Sequence, residues 1–230
     1  MQKQKFRIIL TGEARDFLES ISLAARKKIT YNIRRVMGGE INNELFKKLE
    51  NTDGIWEFRT KYSGIAYRLF SFWDTETETL VIATHGIIKK TQKTPSKEIA
   101  KAESIKQIYF ENKSKLQNKK KIMEDLRLTS FEDFQDKNFG KIGTPERDAF
   151  EKEVDDALQA YRMGEVIKQA RKARNLTQEQ LGAKIGVQKS QISRLERGHG
   201  ITFNAMARIF KAMNIPAVLD MGGIGKVALW

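Results

Sequence analysis

The spacing of apolar residues predicts a mixed α and β fold for the first part of the chain. Phe6 to Leu10 form a strand-like run, and Thr11 follows as a candidate helix N-cap. Apolar residues then recur at helical spacing from Ala14 to Ile21 and from Ala25 to Val36, and Gly38-Gly39 ends the second segment. The pattern therefore predicts one strand followed by two helices.

Three further strands and a helix complete this block. Segments 55–59, 65–73 and 80–88 are rich in aromatic and β-branched residues and are separated by short turn sequences. Strands joined by such turns pair in an antiparallel manner. A helix with a regular apolar stripe begins at Pro95. Residues 1–112 are therefore expected to form an α+β domain in which helices pack on one side of a small antiparallel sheet.

The pattern changes after residue 112. No apolar periodicity is present in residues 113–122, which are interpreted as a linker or a fusion junction. Residues 123–161 are acidic and too poor in apolar residues to form a core alone, so they form either a flexible linker or an arm that folds onto a partner. Residues 162–230 have the pattern of an all-α domain with a Gly-rich apolar tail. Met123 could be the initiator of a once-separate reading frame.

The charge distribution follows the same division. Residues 1–122 carry 25 Lys and Arg against 14 Asp and Glu, a net charge of +11. Residues 123–161 carry 5 against 11, a net of −6, and residues 162–230 carry 12 against 4, a net of +8. Basic domains of this size commonly bind nucleic acid or another polyanion. The chain is therefore expected to hold two polyanion-binding modules joined by an acidic connector.

Composition narrows the possible chemistry. The chain has no cysteine and two histidines, which excludes disulfides and thiol nucleophiles and argues against a zinc site. No apolar run approaches the ~20 residues of a membrane span, and the N-terminus has no apolar signal core. We expect a cytoplasmic protein that uses neither a metal nor another cofactor and does not bind a membrane.

Two short helices around a glycine turn are predicted near the C-terminus. Thr177 to Gln180 has the residues of a capping box, Gly186 ends the helix that it opens, and a second short helix stops at Gly198. Gln178 is placed to contact a phosphate at a helix N-terminus. The second helix would present side chains to base edges: Gln188, Lys189, Ser190, Gln191, Ser193 and Arg194. The alternative is a helical hairpin that binds another protein.

These helices resemble a known DNA-binding family. The runs Asn175 to Gly182 and Ile192 to Gly198 are similar to the Cro/repressor-type (XRE) helix-turn-helix. The resemblance implies a homodimer that binds palindromic operator DNA. The acidic lead-in from Gly143 to Asp148 and the apolar tail resemble HigA-type antitoxins more narrowly. This second resemblance implies a repressor of its own operon.

The N-terminal block contains no nucleophile–base motif, phosphate loop or metal-binding spacing. It does carry the residues that a metal-independent endoribonuclease needs, because RNA supplies its own 2′-hydroxyl as the nucleophile. The candidates are Arg59, Arg68, His85, Lys89, Lys90 and Tyr67. Each has a structural alternative: the arginines as solvated charges on a sheet, His85 as a partly buried strand residue, and the lysines as a strand end.

The same block resembles the HigB/RelE toxin family, in particular its phage-derived-like branch. The resemblance rests on Ile55 to Arg59, Tyr67 to Phe70 and His85 to Pro95. It implies a small microbial-ribonuclease-like domain that cuts mRNA on the ribosome. The arginines carry over more securely than His85, and the resemblance assigns neither lysine as the general base.

Two hypotheses of function follow. In the first, the chain is a toxin and its antitoxin in one polypeptide, and the acidic segment docks on the basic N-terminal domain in cis or across a dimer. In the second, the chain is a non-enzymatic transcriptional regulator whose N-terminal domain binds RNA, a ligand or a protein. Growth arrest by residues 1–112 alone would distinguish the two.

Overall fold

The computed structural model of the chain describes residues 5–76, 80–89, 94–114 and 126–228. The chain divides after Val154 into two compact units. Among the helices in these ranges, none combines the length and hydropathy needed to cross a membrane. The predicted α+β class is confirmed: a sheet with helices is followed by a helical region that contains a helix-turn-helix.

The first unit is built on a six-stranded sheet. Its strands are β1 (Arg7–Leu10), β2 (Phe46–Lys48), β3 (Ile55–Tyr62), β4 (Ile65–Asp74), β5 (Leu80–Lys89) and β6 (Thr129–Ser130). Their order in the sheet is β2-β3-β4-β5-β1-β6. The β3-β4-β5 meander is antiparallel as predicted, but β1 pairs with β5 in parallel. A parallel pair requires a long crossover connection, which the two helices and three strands between β1 and β5 provide.

Four helices belong to this unit, and a fifth includes the point of division. They are α1 (Gly12–Ser20), α2 (Leu23–Met37), α3 (Ser96–Ser114), α4 (Phe131–Phe139) and α5 (Pro145–Ala173). Thr11 is the N-cap of α1, as predicted, since its side chain accepts a hydrogen bond from the Ala14 backbone N–H. Strands β2 and β6 and helix α4 were not predicted.

Helices cover both faces of the sheet. Phe58 and Leu69 point into one core cluster, formed with α1, α2 and α4. Phe72 points into a second cluster with Tyr109 of α3, and the two ring centroids lie 5.4 Å apart. Neighbouring residues of a strand face opposite ways. The expectation that all helices pack on one side is therefore wrong for α3, because β4 is apolar on both faces.

A β-bulge in β5 decides which side chains share a face with α3. Phe70 pairs with His85, but the next residue, Ser71, pairs with Ala83, so Thr84 is the extra residue in the register with β4. The extra residue reverses the alternation after it. His85 consequently stacks on Phe70, with ring centroids 4.8 Å apart, on the α3 face of the sheet.

The second unit contains the two predicted short helices. Its later elements are α6 (Gln178–Ile185), α7 (Lys189–Glu196), α8 (Phe203–Ala212), β7 (Val218–Asp220) and β8 (Lys226–Ala228). The capping box of Thr177 and Gln180 forms as predicted, and Gly186 ends α6 in the left-handed conformation at φ 70°. The apolar tail pairs as a β-hairpin, so this unit is not wholly α-helical.

Candidate active site and nucleic-acid interface

Two of the predicted arginines form the centre of the first candidate site. Arg59 on β3 and Arg68 on β4 are direct cross-strand partners and lie on the α3 face of the sheet. Arg68 is 8% exposed, whereas the Arg59 side chain is 30% exposed. The strands thus place two guanidinium groups side by side at the edge of the region that α3 covers.

A buried carboxylate lies between these arginines. Glu57 is 3% exposed, and its Oε1 lies 3.3 Å from Arg59 Nε and 3.4 Å from Arg68 Nε. Thr94 Oγ1 donates to Glu57 Oε2 at 3.4 Å. Burial is the main cause of the lowered pKa of Arg68, Arg59 lowers it further, and Glu57 opposes both. An arginine stays protonated despite such shifts, so the site keeps its positive charge.

Lys89 lies on the same face, one row further along β5. Lys89 pairs with Ala66. Ile87, two residues earlier on the same face of β5, pairs with Arg68. Burial lowers the pKa of Lys89, as do Arg68 and Arg59, while Glu57 raises it. A lowered pKa makes a lysine better able to take up and return a proton than an ordinary lysine. Lys90, the other predicted lysine, lies outside the described residues.

His85 is on the α3 face but both of its ring nitrogens have partners. Nε2 lies 3.2 Å from Glu98 Oε2, and Nδ1 lies 3.1 Å from Thr84 Oγ1. The residue is 3% exposed. Burial, followed by Lys101, lowers the pKa of His85, against the opposite effect of Glu98. These contacts join β5 to α3 through the imidazole ring.

Tyr67 is not brought together with the arginines. It is 5% exposed and belongs to the core cluster on the α1 and α2 face. The adjacent Arg68 faces the other way, as strand alternation requires. Sequence reasoning missed Glu57, although its position two residues before Arg59 on a predicted strand placed both on one face.

Helix α7 presents most of the predicted DNA-contacting residues to solvent. Its inner side holds Ile192, which is fully buried in the core of the second unit. Ser193 is half-buried, and its Oγ accepts from Arg197 Nη2 at 2.7 Å. The residues with exposed side chains are Gln188, Lys189, Ser190, Gln191 and Arg194. A helix with a polar, exposed first turn and an inner side packed in the core has the arrangement of a recognition helix.

Gln178 points partly inward, towards a buried ion pair. Its Nε2 donates to Glu196 Oε2 at 2.7 Å. Glu196, 4% exposed, also accepts from Arg171 Nε and Nη2, and Arg171 Nη1 donates to the Leu176 carbonyl. This network fixes α6 and α7 to the end of α5. Phosphate contact by Gln178 stays a prediction that requires its side chain to leave Glu196.

The acidic segment joins the first unit. We call residues 126–154 the arm. Strand β6 of the arm pairs antiparallel with β1, and Gly12 N donates to the Leu126 carbonyl at 2.8 Å. Phe131 and Phe134 are 0% and 1% exposed in the core cluster of α1 and α2. The first compact unit therefore extends beyond the boundary predicted at 113–122, because the arm completes the sheet and its core.

Ion pairs join the arm to helices α1 and α2, with the acidic partner on the arm in one pair and the basic partner on the arm in another. Arg34 pairs with Glu151, and both side chains are mostly buried. Lys137 of the arm lies 2.9 Å from Glu19 in an exposed pair. Exposed pairs contribute little to stability, whereas burying a phenylalanine side chain contributes ~1.5–3 kcal/mol. The arm is thus held mainly by apolar packing on both faces of the sheet: Phe131 and Phe134 lie on the face opposite Arg59 and Arg68, and Leu126 and Leu128 pack on the α3 face.

The fold and the two sites define a class of protein: a small α+β domain with a basic sheet face, followed by a helix-turn-helix DNA-binding domain. Residues 16–107 match the family described as Phage derived protein Gp49-like (DUF891). This is a phage toxin family with a RelE/HigB-like fold. Residues 167–219 match the family described as Helix-turn-helix, of the XRE type. No curated protein and no solved structure gives a significant match to the chain.

Proposed function

We propose that this chain joins an mRNA endonuclease toxin of the HigB type to a HigA-type antitoxin. The observation that carries the proposal is the Arg59–Arg68 pair, since it lies in the part of the chain that matches a phage toxin family. The second family match supports a DNA-binding role for the C-terminal unit.

The site residues suit cleavage of RNA by its own 2′-hydroxyl. The hydroxyl oxygen attacks the adjacent phosphorus, the bond to the 5′-oxygen breaks, and a 2′,3′-cyclic phosphate is formed. The two guanidinium groups neutralise the phosphate, whose charge grows in the transition state. Lys89 is the described residue best suited to the proton transfers, because its pKa is lowered and it lies beside the arginines. Since this route uses no metal, cleavage is expected to persist in chelator.

Inhibition in cis is the simplest role for the arm. It buries two phenylalanines in the core of the N-terminal unit, and it adds a strand to the sheet edge. A segment of the same chain meets its site at a high effective concentration, so it is hard to displace. Among the described residues, no hydrogen bond or ion pair joins the arm to Arg59 or Arg68, so inhibition would act on ribosome binding rather than on the arginines.

The C-terminal unit is proposed to bind palindromic operator DNA as a homodimer and to repress its own operon. Support comes from the exposed first turn of α7 and from the net charge of +8 over residues 162–230. A protein that reads both half-sites of a palindrome requires two recognition helices one helical turn apart.

Induced expression tests the proposal. Growth is expected to stop when residues 1–114 are expressed alone and to continue with the full chain. An Arg59→Ala, Arg68→Ala form of the fragment serves as the control for toxicity unrelated to cleavage. If neither the fragment nor the full chain slows growth, while the fragment accumulates as folded protein, the non-enzymatic regulator becomes the better account.

A further inference from the structure

We propose that Glu57 is the positioning residue of this site, and that it directs both arginines towards one phosphate group. The inference rests on the proposed function, because it assigns the phosphodiester of RNA as the ligand. Glu57 itself is 3% exposed. It therefore acts through the arginines and does not contact the substrate.

The two guanidinium groups are held in the same way. Each turns Nε towards Glu57 Oε1, at 3.3 Å for Arg59 and 3.4 Å for Arg68. Each also donates Nη1 to a backbone carbonyl, that of Asn43 for Arg59 and that of Tyr67 for Arg68. Among the described residues, neither Nη2 has a hydrogen-bond partner. The Nη2 amino group of each arginine is thus left for a ligand, and phosphate oxygens suit such donors.

The charges explain why a carboxylate is needed at this position. Like charges directly opposite each other on neighbouring strands are destabilising. One buried carboxylate between two guanidinium groups reduces this repulsion and leaves a net charge of one for the three residues. Both Nε atoms are buried and make no aligned hydrogen bond. A catalytic or binding role is one physical reason for such unsatisfied groups in a native structure.

The carboxylate also reaches the segment that leads into α3. Thr94 Oγ1 donates to Glu57 Oε2, so the two oxygens have separate partners. Rotation of the carboxylate would break contacts on both sides. A misplacement of about 1 Å in a catalytic group is enough to cost about 10²-fold in rate.

The test uses the full chain and a probe that cannot be cut, a 2′-O-methyl trinucleotide. The Nε–H resonances of Arg59 and Arg68 are assigned in arginine-labelled protein with the Arg59→Lys and Arg68→Lys variants. Glu57→Gln keeps the shape of the side chain and removes its charge. It is expected to shift both resonances and to raise the trinucleotide Kd at least about tenfold, as for the loss of one charge-assisted hydrogen bond.

Two further variants separate positioning from a general structural role. Glu50→Gln makes the same change at a side chain that is 86% exposed, and neither readout is expected to change. Glu57→Asp keeps the charge and is expected to restore most of the affinity. It also serves as the test variant if Glu57→Gln does not fold, as judged by circular dichroism, with smaller shifts of both resonances expected.

The outcomes distinguish the inference from the proposed function. Unchanged Nε–H resonances in folded Glu57→Gln, or an unchanged Kd, would overturn the role of Glu57. If the wild-type chain does not bind the trinucleotide but Glu57→Gln still shifts both resonances, then positioning by Glu57 is supported and RNA is the wrong ligand.

Discussion

Arg59 and Arg68 face each other directly across two antiparallel strands, and both approach the same oxygen of Glu57 within 3.4 Å. The two guanidinium groups repel each other, and the sheet holds them close together despite this repulsion. Backbone pairing sets the two Cα positions, and the contacts of each guanidinium group with Glu57 and a backbone carbonyl hold the side-chain ends in place before a phosphate binds. Such preorganisation is what electrostatic stabilisation of a transition state requires.

Lys89 is expected to transfer a proton. Lys89→Arg keeps the positive charge but replaces a group whose pKa is lowered by one that does not give up its proton. The expected result is a loss of ~10²–10⁴ in cleavage rate, the usual contribution of a general acid or base, with RNA affinity little changed. The wild-type rate should also rise with pH up to a pKa below 10.5, the ordinary value for lysine.

The measurement is single-turnover cleavage on ribosomes across pH, with Lys48→Arg as the matched control, because Lys48 is an exposed lysine on β2 that pairs with Trp56 on the opposite face. A Lys89→Arg variant with the wild-type rate and pH profile would show that the proton is carried by another group.

His85 is expected to make stability depend on pH. Burial and Lys101 lower its pKa in the folded state below the ordinary 6.5. Below pH 6.5 the unfolded chain therefore takes up a proton that the folded chain does not, so the free energy of unfolding falls as the pH falls. The loss extends down to the folded-state pKa.

Urea unfolding of the full chain between pH 5 and 7.5 measures this effect. His85→Gln, which cannot titrate, should flatten the dependence in this range. Equal slopes for the wild type and His85→Gln would contradict the assignment of the titrating group.

The arm is expected to stay bound after the chain is cut. A protease site inserted between residues 115 and 121 separates the arm from α3 without altering a described contact. Because Phe131 and Phe134 are buried, the two pieces should elute together in size-exclusion chromatography and separate in denaturant.

Phe131→Ala combined with Phe134→Ala should release the two pieces from each other, since each such truncation costs ~3–5 kcal/mol. Phe203→Ala, which truncates an exposed phenylalanine, is the control. Separation of the wild-type pieces without denaturant would argue against a cis contact.

Arg194 is expected to read a base. Arg194→Ala should relax discrimination at one operator position by ~1–3 kcal/mol. Lys226→Ala removes one exposed charge from the C-terminal hairpin and should leave that discrimination unchanged. Quantitative footprinting on an operator and its single-base variants gives both values. The repressor role is lost if no site is preferred over bulk DNA at any salt concentration.

Much of the framework was predictable because it depends on local patterns. The Thr11 cap, the three-strand meander and the Thr177 capping box follow from short-range rules, and all are present. The parallel β1–β5 pair and the two-residue strand β6 were not predictable in this way. Both depend on contacts between segments far apart in the sequence, and two residues carry no periodicity.

The site was predictable in its residue types but not in its arrangement. Arg59 and Arg68 fall on one face by simple strand alternation, which also separates Tyr67 from them. The face of His85 and Lys89 depends on the bulge at Thr84, which no sequence pattern indicated. Glu57 was not predicted because the role of a glutamate in an apolar strand depends on which side chains it contacts, and these contacts are known only from the structure.

Cleavage of mRNA on purified ribosomes tests the central claim most directly. Residues 1–114 are expected to cut ribosome-bound mRNA and to leave 2′,3′-cyclic phosphate ends. Cleavage should survive excess chelator once the magnesium dependence of the ribosomes is controlled for. The full chain should cut far less.

The Arg68→Ala variant should lose ~10²–10³ in cleavage rate, as for removal of one fixed donor to a transition-state charge, and the Arg59→Ala variant should lose less. Circular dichroism controls for folding. Wild-type cleavage by a folded Arg59→Ala, Arg68→Ala double variant would place the active site elsewhere, and products ending in a 3′-hydroxyl would contradict the mechanism.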